Sequence, residues 1–112
     1  MNVDLDALRL IIAKEHSFSP RQRYLEPSHE AMVPLLIAFT DYFKYIDSTL
    51  SLAEKRELRL KAMGIICQKD VSSFYDLTSW EVSSIANFLK GLNDEEENKA
   101  SRFIDFVLSQ GA

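Results

Sequence analysis

His16 and His29 are the only histidines in the chain, and each has an acid beside it, Glu15 and Glu30. An imidazole next to a carboxylate is the pairing used in general-base chemistry and in metal ligation. The spacing does not develop it. "HEAMV" at His29 lacks the second histidine four residues on that a zinc-protease helix requires. The two histidines flank a proline-containing connection and could meet in space, but histidines beside loop ends are ordinarily solvated. Cys67, after Ile65 and Ile66, has Lys69 nearby, yet a nucleophilic thiol needs a base and an electropositive setting. A semi-buried structural cysteine is the simpler reading. There is no glycine-rich phosphate loop, no G-x-S-x-G and no recognisable carboxylate pair. The expectation is a protein without catalytic residues, bound metal or cofactor.

Binding chemistry is better represented. Lys55, Arg56, Arg59 and Lys61 fall in one helical stretch with Lys69 just beyond, and Arg21 and Arg23 stand near Phe18 and Tyr24. Cations interleaved with aromatic rings can hold phosphates and stack on bases. Glu54 and Glu57 lie among them, so a solvated face of salt bridges is the plainer account. A second group is Phe74, Tyr75 and Trp80 in "SFYDLTSW". Tryptophan and tyrosine are frequent anchors at protein interfaces. The competing role for Phe74 and Trp80 is to fold back and seal the edge of the core.

The elements that must carry these residues are helical. Leu5, Leu8, Ile11 and Ile12 share a face, giving a helix near 4–15 with Asp4 as its cap. Ser17 to Ser28 has two prolines and no period, and reads as an irregular connection. From Ser28 to about Ser48, Met32, Leu35, Leu36, Phe39, Phe43, Ile46 and Leu50 mark a long stripe, widened by Val33, Ile37, Tyr42 and Tyr45. That breadth makes it the central helix, starting or bending at Pro34. Ser51 and Glu54 form a capping box for a helix near 52–68, and Thr78 and Glu81 form another. Val82, Ile85, Ala86, Leu89 and Leu92 make one stripe after Thr78, and Gly91 is placed to close that helix. Asn93 or Asp94 would cap the last helix, with Glu95, Glu96 and Glu97 favoured by its dipole. Phe103, Ile104, Val107 and Leu108 face inward there, and Gly111 ends it. The fold class is all-α: a single helical domain over 1–112, about five helices around a central one near 30–48.

Composition narrows the function classes. An apolar content of 46% with 27% charged residues is that of an ordinary globular domain and not of a disordered chain. A net charge of −4 argues against coating nucleic acid by overall charge, while leaving room for a local basic face. One cysteine permits no internal disulfide and favours a reducing, cytoplasmic setting. Asp4 and Asp6 stand where a signal peptide carries basic residues, and the run Ala31 to Phe39 is well short of the ~20 residues of a membrane span.

"LKAMGIICQKDVSSFYDLTSWEVSSIANFLKGL", Leu60 to Leu92, resembles a helical accessory element of phage DNA-metabolism proteins such as single-strand-annealing recombinases. In that element a short helix, a link with a serine pair and a Leu-Thr-x-x-Glu-Ala-Ser start precede a hydrophobic helix. Leu77, Thr78, Glu81, Ser83, Ile85, Leu89 and the "KDVSS" link match it, whereas Val82 stands in place of alanine and the annealing domain is absent. The resemblance implies a module of phage or mobile-element origin and transfers no activity. The expected function is non-enzymatic: binding a protein of DNA replication, recombination or defence through Phe74, Tyr75 and Trp80, with Arg56 and Arg59 as a secondary patch. The rivals are single-stranded nucleic-acid binding through Lys55, Arg56, Arg59, Lys61 and Lys69, a helical homodimer, and an acidic mimic of nucleic acid, for which the acids are too dispersed.

Overall fold

Two capping boxes fix where helices begin. In the computed structural model, which describes residues 2–18, 27–93 and 98–111, Ser51 Oγ accepts from the Glu54 N–H at 3.2 Å while Glu54 Oε1 accepts from the Ser51 N–H at 3.2 Å. At the second box, Thr78 Oγ1 accepts from the Glu81 N–H at 3.1 Å and Glu81 Oε1 accepts from the Thr78 N–H at 2.8 Å. Each box satisfies backbone donors that a helix start would otherwise leave open. The helices are α1 (Asn2–Phe18), α2 (His29–Tyr45), α3 (Leu52–Cys67), α4 (Ser79–Asn93) and α5 (Lys99–Gln110). A 3₁₀ turn at Phe74–Asp76 interrupts the link between α3 and α4. No strand occurs among the described residues.

The core is built from the stripes. Leu8, Leu35, Phe39, Met63, Val82, Ile85, Leu89, Phe103, Ile104 and Val107 are fully enclosed. α4 packs against α1, α2 and α5, and α5 also packs against α2 and α3. The helix expected to be central is present and buries Met32, Leu35, Phe39 and Phe43, but it is not encircled. It lies on α4 and α5 and leaves Val33, Ile37 and Tyr45 exposed. α4 and α5 are each met by three other helices. Tyr42 ties α2 to α5 by donating its hydroxyl to Asp105 Oδ1 at 3.3 Å, and burial followed by that carboxylate raises its pKa to about 12. Arg9 of α1 donates to the carbonyls of Ile65 at 2.6 Å and Ile66 at 3.3 Å, at the open C-terminal end of α3.

Several boundaries differ from the sequence reading. α1 already includes Asn2, so Asp4 lies inside it and is no cap. Ser28 caps α2 by accepting the Ala31 N–H at 3.2 Å, which places Pro34 within the helix, where it removes the bond to the Glu30 carbonyl. α2 ends at Tyr45 because Asp47 turns left-handed, at φ 49°. Asn93 belongs to α4, and the residue before α5 is Asn98, left-handed and without a side-chain cap bond. Asp94 and Glu95 to Glu97 lie outside the described residues, as do residues 19–26 of the first connection.

Gly91 is the clearest correction. α4 continues through it to Asn93, and no glycine has a positive φ. A Cβ built at Gly91 meets nothing within 4 Å. Gly91→Ala should therefore stabilise the protein by about 0.5–1 kcal/mol, the ordinary helix-propensity gain. A left-handed closing glycine would make the same change destabilising. At Gly64 the sign reverses, since a Cβ there would stand 2.9 Å from the Lys69 carbonyl oxygen, backbone that Gln68 at φ 56° turns back over the helix end. Thermal unfolding of the two alanine variants should give opposite shifts.

Candidate functional site

α3 carries its basic residues to different places. Lys55 sets its Nζ 5.5 Å from the centre of the Phe43 ring, a cation–π contact. Lys69 pairs with Glu81 at 2.8 Å and so belongs to the start of α4. Lys61 is exposed beside the C-terminal end of α5, where Gly111 approaches it. Arg56 and Arg59 remain together, three residues apart on one face of α3. Lys55 and Arg59 also border a common hollow with Lys44, and Lys61 and Lys69 border another.

The aromatic trio divides in the same way. Phe74 is buried at 9% exposure, Trp80 is half-buried and Tyr75 is 51% exposed. The indole Nε1 of Trp80 is enclosed and has no hydrogen-bond partner among the described residues. So Phe74 seals the core, the competing role weighed for it above, and Tyr75 alone offers an open ring.

One hollow joins members of the two candidate groups. It has a volume of about 180 Å³ and lies where α2, α3 and the 3₁₀ turn meet, lined by His29, Arg56, Arg59 and Tyr75 around Met32, Leu36, Leu60 and Phe74. The 3₁₀ turn is held by its own capping box. Ser73 Oγ accepts the Tyr75 N–H at 3.3 Å, and Asp76 Oδ2 accepts the N–H groups of Ser72 at 2.8 Å and Ser73 at 3.0 Å. Arg56 reaches across to this turn, donating Nη2 to the Ser72 carbonyl at 3.0 Å. That bond uses one of the five guanidinium donors and fixes the direction of the rest. Arg59 is half-buried beside it, and burial first, then the charge of Arg56, hold its pKa below the usual arginine range. No carboxylate is among the residues that line the hollow. It is a small apolar cup with a cationic wall.

No protein-family model, curated protein or solved structure matches the chain. The site therefore rests on its own geometry.

The remaining candidates stand apart among the described residues. The side chain of His16 lies outside the described residues, and His29 is exposed at the hollow's mouth. Among the described residues, no three His, Cys, Asp or Glu side chains converge as a metal site would. Burial raises the Cys67 pKa, the neighbouring Glu81 raises it further, and Lys69 and Arg9 only partly oppose them. That is the setting of an inert thiol. No helix among the described residues is long and apolar enough to cross a membrane. A wider apolar cleft, about 390 Å³, lies between α2 and α4 and is lined by Pro34, Ile37, Ala38, Ala86, Asn87 and Lys90.

The sequence pointed to Arg56, Arg59 and Tyr75 but missed His29, Met32, Leu36 and Leu60 as their companions. Met32 and Leu36 looked like ordinary core stripe. The signal that unites them is tertiary: the 3₁₀ turn must fold back onto α3 before the cup exists.

Proposed function

We propose that the protein is a non-enzymatic binding module that recognises a partner protein through the hollow between α2, α3 and the 3₁₀ turn. The observation that carries this is the meeting of Arg56 and Arg59 with Tyr75 over an apolar floor. Tyrosine and arginine are the side chains that most often anchor interfaces, and they do so in pockets that exclude water. Arg59 is half-buried beside a like charge, a setting that disfavours its charged form until an anion is near. The likeness of residues 60–92 to an accessory element of phage DNA-metabolism proteins supports a partner in DNA replication, recombination or defence. The single cysteine supports a cytoplasmic setting.

Affinity capture from the native host tests the reading, with the intact protein and an Arg59→Met variant as paired baits. A protein retained by the first bait and lost with the second is the expected result. Capture of nucleic acid, with affinity falling steeply as salt rises, would replace it with direct single-strand binding.

Self-association is a second reading, favoured by one observation. Val33 and Ile37, one turn apart on α2, are 40% and 55% exposed beside the α2–α4 cleft. Gel filtration across a range of concentrations would show a dimer if copies meet there, and Ile37→Glu would abolish it.

A further inference from the structure

The shape and charge of the hollow define its ligand more narrowly than a protein surface in general. Its floor is apolar, with Met32 and Phe74 buried and Leu36 and Leu60 half-buried. Its wall is cationic, formed by Arg56 and Arg59, with exposed His29 at the first residue of α2. Two arginines three residues apart on one helix face repel, an anion between them relieves this, and a carboxylate matches their donor forks. Size completes the argument. About 180 Å³ is below the roughly 300–1,000 Å³ of pockets that enclose a free small molecule, and it suits one side chain.

We propose that the hollow receives one large apolar side chain of a partner protein, with a carboxylate next to it in the partner's sequence bridging Arg56 and Arg59. The inference rests on the partner-binding reading above. The carboxylate is that of an aspartate, a glutamate or the partner's last residue, all of which present the same planar acceptor. A nucleic-acid strand fits less well: it brings the anion, but its base belongs on an aromatic platform, and Tyr75 is the one open ring here. Charge complementarity and the apolar floor together therefore favour an acidic, hydrophobic peptide.

The test is a ¹H–¹⁵N NMR titration of the full-length protein with blocked hexapeptides. One peptide carries a leucine followed by two glutamates, a second has glutamines in their place, a third has alanine for the leucine, and a fourth ends in a free carboxylate after the leucine. An oligothymidylate is the nucleic-acid probe. The expected result is shift changes confined to the start of α2, the middle of α3 and the 3₁₀ turn. Binding of the leucine–glutamate peptide should be about tenfold or more tighter than that of the glutamine or alanine peptide. Arg59→Met and Arg56→Gln, each checked for an unchanged fold by the same spectra, should remove that preference. Comparison with the free-carboxylate peptide tells a side-chain acid from a terminal one. Shifts in the hollow that ignore the carboxylates would overturn the proposal and leave the hollow a protein-binding surface. Shifts there only with oligothymidylate, or none with any peptide, would overturn both.

Discussion

Phe103→Ala is expected to cost about 3–5 kcal/mol, enough to leave the protein largely unfolded near body temperature if its stability is at the low end of the usual range of about 5–15 kcal/mol. Phe103 is 1% exposed and stands on α5, which packs against α2, α3 and α4. Its ring lies 5.1 Å from that of Phe88, tilted by 55°, an arrangement worth more than burial alone. Removing the ring opens a cavity in the core beside Phe88, and close-packed helices collapse poorly into such a space. Urea unfolding monitored by helical circular dichroism measures the loss directly. A cost below about 1 kcal/mol would mean that α5 is not docked as described.

Glu81→Gln is expected to cost about 1.5–3 kcal/mol at neutral pH, with the loss disappearing in acid. Glu81 is 5% exposed, yet it accepts the Thr78 N–H and pairs with Lys69 at 2.8 Å. Burial alone would raise its pKa. The hydrogen bond from Lys69, the Thr78 N–H, the Lys69 charge and a bond with Cys67 together outweigh it, and the carboxyl ends below its ordinary range. Glutamine keeps an acceptor for Thr78 but leaves Lys69 without its counter-charge. Lys69 is 36% exposed, so water takes up part of the difference and the cost stays below that of a fully buried pair. A depressed folded-state pKa means that the stabilisation is present above the unfolded value, about 4.3, and is lost as the pH falls through the folded value. The difference between native and variant should therefore hold from neutrality to about pH 5 and shrink in more acidic solution. A difference that grew as the pH fell would contradict the assignment.

These two residues also show what the sequence made legible. Glu81 announced itself, because a threonine three residues ahead of a glutamate before an apolar run is local information. So were Ser28 and the Ser51–Glu54 box, and each begins a helix where the pattern placed it. Helix ends were less readable. Gly91 resembled a closing glycine, but Leu92 still belongs to the stripe, and packing against neighbouring helices carries α4 past it. The breadth of the α2 stripe suggested encirclement. In fact Val33 and Ile37 extend the apolar face beyond what α4 and α5 cover, and period alone does not reveal how many neighbours a helix has. The site was legible only in pieces. Arg56 and Arg59 share a helix face by spacing, but their meeting with Tyr75 and Met32 depends on a link that returns to α3 after the left-handed Gln68. Lys69 was grouped with the basic residues and instead serves Glu81, since a partner twelve residues away cannot be read from helical spacing.

Whether Arg56 and Arg59 exist for a partner or for the fold is decided most directly by the unfolding free energy of an Arg56→Leu, Arg59→Leu double variant. Arg56 gives the fold one exposed hydrogen bond, to the Ser72 carbonyl, so the double variant should lose no more than about 1 kcal/mol. A loss of about 2 kcal/mol or more would make the guanidiniums part of the architecture, and the binding surface proposed between α2, α3 and the turn would go with them.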